Sequence, residues 1–98
     1  MKRSKGDEEK IKDLIKKTEE FFQQEKYQEI IDLLPDETLN QYQDSDLFAW
    51  KAWANFRLPD ADKALDCAEK ALKINPKNPS ALRLRGLVNL NKGIIIML

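Results

Sequence analysis

Histidine is absent from this 98-residue chain, and Cys67 is its only cysteine. No Ser/His/Asp or Cys/His catalytic set can be assembled, no Cys/His cluster exists to hold zinc, and no internal disulfide can form. A lone thiol fits a reducing, intracellular setting, so a cytoplasmic location is expected. With three glycines in all there is no phosphate-cradling loop, and no cofactor is expected. The longest apolar run, residues 94–98, is five residues long, against the roughly 20 needed to cross a bilayer. The basic residues at the start have no apolar segment behind them, so no secretory signal is expected. An excess of charge of either sign is missing too: 17 Lys and Arg balance 17 Asp and Glu. That balance speaks against a nucleic-acid binder, which carries a large basic excess.

What remains is 42% hydrophobic and 35% charged, enough apolar material for one small core. No segment alternates or is enriched in β-branched residues as a strand would be, so the chain reads as all-α. A first helix begins near Asp7, with Ile11, Leu14, Ile15, Thr18, Phe21 and Phe22 at helical spacing. A second covers about residues 27–34, where Pro35 ends it or begins another turn through Asp36 and Glu37. A third follows the N-cap candidates Asp44, Ser45 and Asp46 and runs to about Arg57. A fourth covers about residues 61–74. A fifth opens with Pro79 in its first turn and closes near Lys92, capped by Gly93. Short loops between these five helices make consecutive ones antiparallel neighbours.

The third and fifth of these helices repeat one pattern. Phe48, Lys51, Ala52 and Asn55 recur 34 residues later as Leu82, Arg85, Gly86 and Asn89; Ala64, Ala68, Ala71 and Pro76 lie between. On these residues, residues 44–93 resemble the tetratricopeptide repeat family, with Phe48 and Leu82 at the motif's opening aromatic position. Lys51 and Arg85 depart from the motif leucine, and Asn55 and Asn89 from its tyrosine; Trp50, Trp53 and Phe56 supply the missing bulk. Moved upstream, the same frame places Leu14, Lys17, Thr18, Phe21 and Ile30 in equivalent roles, then fails at Pro35 and Glu37. The implied organisation is a flexible basic N-terminus over residues 1–6 and a short α-solenoid of helix-turn-helix repeats over residues 7–93. Residues 7–43 form a degenerate first unit, residues 44–78 a full repeat and residues 79–93 a half repeat, with an apolar tail at residues 94–98.

The resemblance implies a non-enzymatic scaffold or adaptor that binds a protein or peptide on its concave face. In that frame the face is lined by Ile15, Glu19 and Phe22, by Ala49, Trp50, Trp53 and Phe56, and by Arg83, Leu84 and Leu87. Aromatic and arginine side chains are the usual anchors of such interfaces. Trp50 and Trp53, three apart on one helix, read more readily as core filling, with Trp53 structural and Trp50 the better candidate for a contact. The family's clamp for a C-terminal carboxylate is absent, because its positions carry Ile15, Glu19, Trp50, Ser80 and Leu84. A hydrophobic or amphipathic helical ligand is the better expectation. Paired acids such as Glu8 and Glu9, Glu19 and Glu20, or Asp60 and Asp62 read as solvated faces, and Cys67 as a small buried hydrophobe. A solenoid ends in a capping helix, so the fifth helix is expected to expose Leu82, Leu84, Leu87 or Leu90. Self-association as a homodimer or larger assembly is the alternative function. A membrane-surface adaptor using the basic start and apolar tail is the remaining one.

Overall fold

The computed structural model describes the backbone of residues 4–97 and the side chains of residues 4–90. Among the described residues there are six α-helices and no strand: α1 (Lys5–Gln23), α2 (Tyr27–Leu33), α3 (Asp36–Tyr42), α4 (Ser45–Arg57), α5 (Ala61–Ile74) and α6 (Pro79–Met97). Four of them start where a side chain satisfies an otherwise orphaned backbone N–H. Ser4 Oγ accepts from Asp7 and Asp44 Oδ1 from Leu47, each at 3.1 Å. Asp60 Oδ1 accepts from Lys63 at 3.2 Å, and Asn78 Oδ1 from Ala81 at 3.1 Å.

Three expectations need correction. α1 begins at Lys5, because Ser4 caps it, so residues 5 and 6 belong to the helix and not to a flexible leader. Of the two alternatives at Pro35, the further turn through Asp36 and Glu37 is the one taken: residues 36–42 form α3, a sixth helix beyond the five expected, with Pro35 in extended conformation as its N-cap residue. Proline costs nothing at a helix start, where its missing N–H is not needed. Gly93 does not stop the last helix, which runs on to Met97. A glycine ends a helix by turning left-handed, and no described glycine has positive φ.

The element boundaries keep the period of the sequence. Gln23 and Arg57 end α1 and α4, Tyr27 and Ala61 begin α2 and α5, and Asp44 and Asn78 cap α4 and α6; each pair is 34 residues apart. Small residues line the main interface, between α4 and α5: Ala52, Ala64, Ala68 and Ala71 are all fully buried. Alanine lets two helix axes approach closely, and it costs no side-chain entropy on burial. Ile30, Leu34, Leu47 and Leu84 fill the space around them with no exposed area, each contributing about 2 kcal/mol of burial. Thr18 is also fully buried, and its hydroxyl is satisfied by donating to the Leu14 carbonyl at 2.7 Å.

Gly86 differs from its repeat partner Ala52. It is exposed, and a Cβ built there meets nothing within 4 Å, so close packing is not the reason for a small residue at this position.

A buried polar cluster ties α6 to the pair before it. Asn78, 1% exposed, donates through Nδ2 to Ser45 Oγ at 2.7 Å and to Asp46 Oδ1 at 3.0 Å. Ser45 Oγ in turn donates to the Ala71 carbonyl at 2.9 Å. The start of α4, the end of α5 and the start of α6 thus meet through two side chains.

Candidate protein-interaction groove

One stripe of α4 faces outward between α1 and α6. Asp46, Ala49, Trp50, Trp53 and Arg57 recur at the three-and-four spacing that keeps side chains on one helix face. With Phe22 of α1 and Ser80 and Arg83 of α6 they line a groove of about 370 Å³. Its floor is aromatic. Phe22 meets Trp50 edge to face at 5.5 Å between centroids, and Phe22 meets Tyr27 likewise at 5.3 Å. Trp53 packs edge to face on Phe56 at 5.7 Å and donates its indole N–H to the Ser80 carbonyl at 3.2 Å. Trp53 therefore bridges α4 and α6 as well as lining the groove, while Trp50 makes no such hydrogen bond.

The charges sit on the rim. Arg57 Nε donates to the Tyr27 hydroxyl at 3.1 Å, and the guanidinium lies 5.6 Å from that ring's centroid. The hydrogen bond to Tyr27 pushes the Arg57 pKa up, so this group stays cationic. Arg83 is exposed and pairs with no acid among the described residues.

Of the residues expected on the concave face, Phe22, Ala49, Trp50, Trp53 and Arg83 converge here, while Phe56 packs on Trp53 outside the lining. Both tryptophans are half-buried, at once packed against the core cluster and open to the groove. Leu84 does not belong: it is 0% exposed and cannot touch a ligand. Ala81, Leu84 and Val88 form the buried face of α6, which rotates the neighbouring Arg83 outward. Ile15 and Leu87 are half-buried and Glu19 is exposed, and none of the three lines the groove. Ser80, a position of the family's clamp, lines the groove too; Asp46 and Arg57 were missed, although the spacing of Asp46, Trp50, Trp53 and Arg57 was legible.

A second cleft, of about 570 Å³, has Cys67 and Asn55 in its wall. Three of its lysines are paired with its own acids: Lys51 with Asp36 at 3.3 Å, Lys63 with Asp60 at 3.9 Å and Lys70 with Asp66 at 3.1 Å. Burial pushes the Cys67 thiol up, away from the reactive thiolate. Among the described residues no group of His, Cys, Asp and Glu could hold a metal ion, and no helix is long and apolar enough to cross a membrane. The side chains of the apolar tail, and residues 1–3 of the basic start, lie outside the described residues. No family model matches the chain, and no curated protein or solved structure is significantly similar to it.

Proposed function

We propose that this chain is a non-enzymatic interaction module of tetratricopeptide-like helix hairpins. Its groove between α1, α4 and α6 binds a peptide or helical segment of a partner protein. The observation that carries this reading is the placement of Phe22, Trp50 and Trp53 along one open groove with arginines at its rim. A soluble domain that only needed packing volume would turn such rings inward, whereas aromatic and arginine anchors concentrate binding energy at interfaces. The 34-residue spacing of helix ends and caps supports the repeat reading, because it gives α1 and α4 equivalent places beside the same groove.

Trp50→Ala tests it. A groove contact makes this variant fold normally while losing about 2 kcal/mol or more of partner binding. A Trp50→Ala protein that unfolds, by the roughly 3 kcal/mol or more of a core aromatic, identifies the ring as packing and removes the proposal.

A second reading, self-assembly, draws on α6. Its outer side carries Leu82 at 38% and Leu90 at 58% exposure on either side of the open Gly86. Sedimentation at several concentrations separates the two: a particle that stays monomeric removes self-assembly and leaves the groove reading intact.

A further inference from the structure

We infer that the groove selects acidic amphipathic segments, taking an apolar side chain against Phe22 and Trp50 and carboxylates at Arg57 and Arg83. This rests on the groove reading above and adds the partner's charge.

The charged groups that line the groove are Arg57, Arg83 and Asp46. Asp46 already accepts from Asn78 Nδ2 at 3.0 Å, which commits part of its carboxylate to holding α6 in place. Arg57 uses Nε on Tyr27, a neutral phenol, and keeps its two terminal nitrogens for another partner. It makes no ion pair among the described residues; Glu25 acts on it only at longer range. Arg83 has no partner at all among them. Glu19, on α1 one turn before Phe22, is exposed and stands outside the lining. The aromatic floor is therefore flanked by two guanidinium groups that make no ion pair among the described residues, on α4 and on α6, against the single carboxylate of Asp46.

That pattern disfavours one ligand class and favours another. An aromatic cluster alone suits a cation, such as a methylated lysine, through cation–π attraction. Here two fixed positive charges oppose a third. A carboxylate meets no such penalty, and a guanidinium fork engages it in two parallel hydrogen bonds. Apolar side chains on the ligand are needed as well, since an arginine pair in open water holds a carboxylate only weakly. Seating a ring or leucine over Trp50 excludes water from the rim and strengthens the charged contacts there.

The test is selection of random 12-residue peptides displayed on phage, against the intact chain and against its Trp50→Ala, Arg83→Glu and Arg83→Gln variants. The expected pool carries aromatic or leucine residues beside Asp and Glu, and depends on Trp50. Synthetic peptides from it lose about tenfold in affinity with Arg83→Gln, as for one charge-assisted contact, and more with Arg83→Glu. Arg83→Glu also moves fresh selections toward lysine-bearing peptides. A Trp50-dependent pool without acidic bias, or one indifferent to Arg83, overturns the acidic preference and leaves the groove standing. A pool that does not depend on Trp50, or no enrichment at all, overturns both.

Discussion

Asn78 is the residue whose loss should cost this fold most for its size. In Asn78→Ala three hydrogen bonds disappear together: the cap on the Ala81 N–H and the two donations from Nδ2 to Ser45 and Asp46. A lost cap costs about 1 kcal/mol, and each buried hydrogen bond about as much again. With the site 1% exposed, water cannot enter freely to replace them. The expected destabilisation is about 3 kcal/mol, a large part of the roughly 5–15 kcal/mol available to a domain of this length. Near the midpoint it corresponds to a fall in Tm of roughly 12–24 °C.

Two further variants divide that total. Asn78→Ser keeps a capping oxygen and loses both donations, so it should cost about 2 kcal/mol. Asn78→Asp also keeps the cap, but sets a carboxylate against the carboxylate of Asp46 and should be no better than serine. Urea unfolding followed by far-UV circular dichroism gives all three values on one scale. If Asn78→Ala lies within about 1 kcal/mol of the parent at an unchanged slope, the network does not hold α6, and the account of how Ser80 and Arg83 reach the groove fails with it.

Gly86→Ala should stabilise the chain by about 0.5–1 kcal/mol, since the helix gains alanine's propensity and the new Cβ meets nothing within 4 Å. Ala52→Leu, at the equivalent position in the buried α4–α5 interface, should lose about 1–3 kcal/mol by overpacking; thermal melts of the two variants must move in opposite directions. Cys67 should react with a thiol reagent far more slowly in the folded chain than in urea. Because burial raises its folded pKa, the unfolded thiol ionises first as pH climbs past about 8.5. Folded stability is thus full below that pH and falls above it, and Cys67→Ala should flatten this part of the curve; identical alkaline slopes for parent and variant contradict the assignment. Trp53→Phe removes the bond to Ser80 and should cost about 1 kcal/mol of stability, readable in the same melts.

α4, α5 and α6 are announced by side-chain chemistry at their starts, whereas α1 and α2 were legible from apolar spacing, α2 having no side-chain cap. Asp44, Asp60 and the Asn78–Pro79 step cap α4, α5 and α6, and the α5 boundaries came out as read. α3 was legible only as an alternative turn through Asp36 and Glu37, because its apolar signal is sparse: its two core residues are Leu39 and Tyr42, and it has no side-chain cap. Its existence depends on what Leu39 and Tyr42 bury against, which is tertiary information. The length of α6 was missed for the opposite reason. A local signal, Gly93, suggested a stop that the chain does not take.

The groove shows the same division at the scale of single residues. A repeat frame assigns faces to within about a quarter-turn, and on a helix one residue of offset is about 100°. On α4 that frame put Ala49, Trp50, Trp53 and Phe56 on one side; the first three line the groove and Phe56 does not, while Ala52 is fully buried. On α6 the same frame placed Arg83 and Leu84 together on the ligand side. Adjacent residues sit about 100° apart, so when one of the pair is drawn fully into the core the other is turned towards the surface. Hydrophobicity decides which. Leu84 goes inward with Ala81 and Val88, and the guanidinium next to it is left at the rim of the groove, where a carboxylate can reach it.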